Sequence, residues 1–168
     1  MKNLDQRNQI IEYSLKLNST NLSPLRSGYI SLRGIEDDNE GYLITPSGKK
    51  YETLKPKDIV FMGLNEEDKK NESINKPSSE WRFHRDIYVS KKEAQAIVHA
   101  HSLHATAVSS HGKTIPPFHY MIALAGGDDI KCAEYATFGT EKLSKNVIKA
   151  LENRSACLMS IHGQVAFG

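Results

Sequence analysis

His99-Ala100-His101 places two imidazoles two residues apart in AIVHAH, a run that reads as a β-strand. Residues i and i+2 of a strand leave the same face, about 6.6 Å apart along the chain. Imidazoles at that spacing can converge on one ion. His162 is a candidate third ligand, because Gly163 after it lets backbone pass close by. Three neutral nitrogen donors suit zinc or another divalent ion and leave a position open for substrate. Taken alone, such a pair is more often two polar surface residues. Of the seven histidines, His84, His104, His111 and His119 read as structural or exposed.

Acid–base chemistry at such a site needs a carboxylate. Glu80 stands in Pro77-Ser78-Ser79-Glu80-Trp81, at the start of an apolar helix. On the plain structural reading, Ser78 or Ser79 is an N-cap and Glu80 favours the helix dipole. On the functional reading, serine hydroxyls and backbone N–H groups at a helix start bind an anion. A carboxylate beside Trp and Phe then has its proton affinity tuned for proton transfer.

These residues must be held by surrounding elements. Asp5–Leu17 predicts a helix with Ile10, Ile11, Leu15 and Leu17 on one stripe. YISLR from Tyr29 and GYLIT from Gly41 predict a hairpin about the polar turn IEDDNE. DIVFM from Asp58 predicts a short strand, and the polar run from Asn65 to Lys76 a mobile loop. Helices are expected to about Val89, over Leu103–Ser109, over Phe118–Ala125 and over Thr140–Asn153. Thr140 is the expected N-cap of the last of these. Strands are expected over Ala96–His101, Lys131–Ala136 and Ala156–His162, the last in the chain. The fold class that follows is α/β, a layered domain around a mainly antiparallel, mixed sheet.

The 168 residues, 39% hydrophobic, suffice for one domain with its own core. A net charge of +2 gives no electrostatic reason to expect nucleic acid or an acidic membrane surface as partner. No apolar run approaches the roughly 20 residues that span a bilayer. MKNLDQRNQI has no apolar signal core, so a cytoplasmic location is expected. Cys132 and Cys157 are expected as reduced, small, buried residues.

Five stretches carry a wider pattern: LITPSGKKYETL, KPSSEWRFHRDIY, AIVHAHSLHATAVS, IPPFHYMIALAGGDDIKCAEYATFGTEKLS and ENRSACLMSIHGQV. In these, over nearly the whole chain and in order, the sequence resembles the class II aldolase and adducin family, above all its fuculose-phosphate type. The resemblance implies a three-layer α/β/α domain over 1–168 and a reversible cleavage of a ketose 1-phosphate. The products would be dihydroxyacetone phosphate and a small aldehyde, through a metal-stabilised enediolate. It implies His99, His101 and His162 as ligands of Zn2+ or another divalent ion, with Glu80 as acid–base group and occasional ligand. Tyr120 would assist the aldehyde oxygen at a site formed with a neighbouring subunit, and Phe138 would wall the pocket. Ser27, Gly28, Ser47, Gly48, Ser78 and Ser79 would bind the phosphate. A homotetramer is implied as well.

The sequence departs from the family twice. Where relatives carry Asn after Ser-Gly, this chain has Tyr29, which offers no amide donor. Arg26 is a candidate replacement, since a guanidinium binds phosphate oxygens well. The chain also stops at Gly168, where relatives continue into a C-terminal helical segment, which suggests a fragment. The altered loop leaves open an aldolase acting on 5-deoxypentulose phosphates, and the fold also serves epimerases and dehydratases. A non-catalytic, adducin-like module would be expected to lose metal ligands, which this chain retains.

Overall fold

The computed structural model describes residues 1–65 and 75–168, so most of the stretch expected as a mobile loop lies outside the described residues. Among the described residues seven strands form one sheet: β1 (Tyr29–Glu36), β2 (Asn39–Ile44), β3 (Val60–Gly63), β4 (Ala96–Ala100), β5 (Cys132–Ala133), β6 (Ala156–Met159) and β7 (Gly163–Phe167). Their order is β3-β2-β1-β4-β7-β6-β5. β5 and β6 run parallel, and the other pairings among these strands are antiparallel. Asp37 and Asp38 close the first hairpin with φ of 51° and 60°, the paired left-handed geometry that matches strand twist.

Four α-helices among the described residues cover the sheet: α1 (Leu4–Ser19), α2 (Trp81–Ser90), α3 (Leu103–Ser109) and α4 (Glu141–Ala150). Alternation along the strands divides the core in two. Leu43 and Ile30 pack with Ile10 and Leu17 of α1. Tyr42 and Ile44 face the other way, toward Phe83 and Ile87 of α2 and Leu143 and Val147 of α4. The result is the expected three-layer arrangement. Each large apolar side chain fully buried in it contributes roughly 1.5–3 kcal/mol.

Several expectations need correcting. The buried stripe of α1 is Arg7, Ile10, Ser14 and Leu17, whereas Leu15 is exposed. Arg7 is held there by the carbonyls of Pro56 and Ile59 and by the Glu36 carboxylate at 2.6 Å. The residue at the N-cap of α2 is Glu80, because the Ser78 hydroxyl accepts from the Glu80 N–H instead of capping the helix. Tyr120–Ala125 winds as a 3-10 helix, and the strand expected over Lys131–Ala136 shortens to Cys132–Ala133. Ala156–His162 is not the last strand. β6 ends at Met159, Ile161 turns the chain at φ 55°, and β7 returns antiparallel. Thr140 caps α4 as expected, its hydroxyl accepting from the Leu143 N–H. Both cysteines are free, and Cys157 is buried.

Candidate metal centre and active site

β4 lies between β1 and β7 in the sheet, and this placement builds the site. His99 sits within β4 and His101 just past its end, while His162 occupies the tight turn between β6 and β7. His99 meets the other two rings face to edge, with centroids 4.6 Å apart for His99–His101 and 5.0 Å for His99–His162, while His101 and His162 are tilted to each other at 5.1 Å. One nitrogen from each lies within 4.8 Å of the others, close enough to converge on a single ion. Gly163 is required beside them. A Cβ there would come 2.5 Å from His101 Cδ2 and 2.6 Å from the Ala100 carbonyl oxygen.

Glu80 completes the cluster from α2. Its carboxylate is 3.0 Å from His99 Nε2 and 3.3 Å from His162 Nε2. Burial works against its charge, and positive charge at the facing His99 and His162, from a proton or from a bound cation, outweighs that and holds the carboxyl well below its usual range. Burial, reinforced by His99 and His162, pushes the pKa of His101 down to about 4. The cluster thus combines an ionised carboxylate with a neutral His101 at neutral pH.

The donor chemistry fits a divalent cation. His99 Nδ1 donates to the Gln164 carbonyl at 2.8 Å, which leaves Nε2 as its ligating atom. Nε2 of His99, Nε2 of His101 and Oε1 of Glu80 are buried without hydrogen-bond partners among the described residues. The two contacts to Glu80 have ion-pair separation without hydrogen-bond geometry. Buried lone pairs facing one another in this way are costly unless a cation lies among them.

A cleft of about 310 Å³ opens on this cluster, lined by Ser27, Tyr29, Ser79, Glu80, His101, Tyr135, Phe138 and His162 among others. The structure therefore brings Ser27, Ser79 and Phe138 to the histidine cluster. Gly139 holds that wall close: its φ is +74°, and a Cβ there would meet the Ser79 carbonyl oxygen at 2.8 Å. Gly28 is buried, its N–H donating to the Tyr51 hydroxyl. Ser78 is fully buried and, like Ser47 and Gly48, is not among the lining residues. Arg26 lies elsewhere too. It donates to the Gly48 carbonyl at 2.6 Å and lines a larger neighbouring cavity that shares His101. Tyr120, 80% exposed, lines a third surface depression with Phe118 and His119. Within one chain it does not join the histidines.

The sequence drew attention to Tyr29 only as a departure. In the structure it pairs with His99 across β1–β4 and its ring stacks on that imidazole at 6.1 Å. Period-two alternation along YISLR was the signal that could have placed it there. Tyr135 had no comparable signal, since it lies outside any strand.

The comparisons with known proteins agree with this geometry. The sequence model of the class II aldolase and adducin N-terminal domain matches residues 8–168. The chain belongs to the class II aldolase and adducin family. The L-fuculose phosphate aldolase of Escherichia coli K12 is 47% identical over 158 residues, covering 94% of this chain and 70% of that protein. A 5-methylthioribulose-1-phosphate/5-deoxyribulose-1-phosphate aldolase of Rhodospirillum rubrum is 41% identical over 162 residues, covering 96% and 70%. Among solved structures, an L-fuculose 1-phosphate aldolase superposes with a TM-score of 0.90 at 38% identity, covering 100% of this chain and 77% of that one. Class II aldolases depend on a metal ion, and the three histidines supply a cluster able to hold one.

Proposed function

We propose that the protein is a metal-dependent aldolase that reversibly cleaves a ketose 1-phosphate of the L-fuculose 1-phosphate type. The products are dihydroxyacetone phosphate and a small aldehyde such as L-lactaldehyde. One observation carries the reading: a buried carboxylate faces three converging histidines at the floor of a cleft. A divalent ion on His99, His101 and His162, for which zinc suits the nitrogen donors, supplies Lewis acidity toward the substrate carbonyl. Glu80 takes and returns the proton at the hydroxymethyl carbon of dihydroxyacetone phosphate. Phe138 and Tyr29 shape the cleft around the carbon skeleton. Tyr120 of a neighbouring copy protonates the new alkoxide, which accords with its exposed position outside its own cleft.

The phosphate is assigned to Ser27, Gly28, Ser47, Gly48, Ser78 and Ser79, with Arg26 adjoining. Hydrogen bonding supports this grouping: Arg26 reaches the Gly48 carbonyl, Ser47 N–H donates to the Lys76 carbonyl, and Pro46 bridges Pro77 beside Ser78. A homotetramer and a cytoplasmic location belong to the same proposal. No helix among the described residues is long and apolar enough to cross a membrane.

A second reading, cleavage of a 5-deoxypentulose 1-phosphate, is favoured by the 41% identity to the Rhodospirillum rubrum aldolase. Incubation with L-fuculose 1-phosphate and 5-deoxyribulose 1-phosphate side by side, with release of dihydroxyacetone phosphate followed, tests both. Faster turnover of the first supports the main reading. Faster turnover of the second moves the assignment. Release from neither contradicts both.

A further inference from the structure

Glu80, His84 and Tyr88 recur every four residues along one face of α2. Glu80 meets the histidine cluster. One turn on, His84 is fully buried, with Nδ1 hydrogen-bonded to Ser31 Oγ at 2.7 Å. A further turn on, the Tyr88 hydroxyl meets the same Ser31 oxygen at 2.9 Å. Ser31 is itself fully buried on β1, paired with Ile97 of β4, two residues before His99. Three buried polar side chains thus tie the helix that carries Glu80 to the strands beside His99.

Stability does not demand this arrangement. Apolar side chains of matching shape can replace a buried hydrogen-bonded set at little cost, or with a gain. Phe83 and Ile87 already fasten α2 to the sheet by apolar contact, which is non-directional. Hydrogen bonds are directional, so this network selects one rotation and height of the helix, although His84 Nε2 is buried without a hydrogen-bond partner among the described residues. Glu80 needs that selection, because its carboxylate must reach two nitrogens at once, at 3.0 Å and 3.3 Å.

We infer that Ser31, His84 and Tyr88 form a positioning device for Glu80, with His84 at its centre. The inference rests on the reading of Glu80 as the acid–base group. His84 does not line the cleft, and acts through the helix.

The test is Ser31→Ala/His84→Phe/Tyr88→Phe, which removes the network's polar atoms and keeps the ring shapes. The expected result is an unchanged or higher unfolding midpoint and about one divalent ion per chain. KM stays within about threefold, and kcat falls about 10- to 100-fold, the scale set by misplacing a reacting group by about 1 Å. Ser31→Ala alone is the smaller change and shows the same split in lesser degree should the triple variant not fold. A kcat within about twofold of the parent in a folded variant overturns the inference. So does activity lost only in proportion to unfolded protein. Glu80→Gln is measured alongside. If it is as active as the parent, the assignment of Glu80 fails. If it is inactive while Ser31→Ala is fully active, only the positioning role fails.

Discussion

Nε2 of His99 faces the Glu80 carboxylate at 3.0 Å while Nδ1 of the same ring donates to the Gln164 carbonyl. With its proton committed to that carbonyl, the ring presents a lone pair to a carboxylate in a buried site. A cation between them resolves the conflict. Replacing His99 or His162 by Ala leaves a two-nitrogen site, and bound divalent metal is expected to fall well below one per chain after dialysis. Elemental analysis of each variant checks this.

Glu80→Gln keeps the shape of the side chain and removes its basicity. With proton transfer lost, kcat is expected to drop by about 10²- to 10⁴-fold while the histidines still bind metal. Steady-state kinetics together with metal analysis separate this outcome from simple loss of the ion.

How much of this was legible beforehand follows the periodicities. The histidine pair sits at strand spacing, so a shared face could be read from AIVHAH, while its role as a ligand pair came from the family resemblance. The helix over Glu141–Ala150 announced itself by apolar spacing and by Thr140, whereas for Leu4–Ser19 the spacing found the helix but not its buried face, half of which is Arg7 and Ser14. The turn at Ile161 did not, because a β-branched residue at φ 55° carries none of the usual turn chemistry. That hid β7, the strand that supplies the Gln164 carbonyl to His99. His84 was legible only as a helical histidine, since its partner Ser31 is 53 residues away.

Gly163→Ala is expected to displace His101. The added carbon would sit 2.5 Å from its ring and 2.6 Å from the Ala100 carbonyl oxygen. Overpacking of this kind costs about 1–3 kcal/mol. Weaker metal binding together with a lower denaturation midpoint is the expected pairing, read by metal titration and urea unfolding.

Arg26→Ala is expected to raise KM for a phosphorylated ketose by about tenfold, the scale of a lost hydrogen bond to a charged group. Its guanidinium already orders the Gly48 carbonyl and keeps donors to spare. An unchanged KM would remove Arg26 from the phosphate site.

Burial pushes the pKa of His84 from 6.5 down to about 3. The unfolded chain therefore takes up this proton first as pH falls. Stability is expected to be independent of this group above pH 6.5 and to decline between about 6.5 and about 3. The decline approaches about 1.4 kcal/mol per pH unit. His101, lowered to about 4, adds a contribution of the same sign. Urea unfolding of metal-free protein at several pH values, repeated on His84→Phe, should show a shallower slope in the variant.

The most direct test of the central claim is metal content measured together with cleavage of L-fuculose 1-phosphate, on the parent chain and on His101→Ala. The account predicts about one divalent ion per parent chain with release of dihydroxyacetone phosphate, and loss of both in His101→Ala. Cleavage that survives in His101→Ala, or in parent protein stripped of metal, would contradict it.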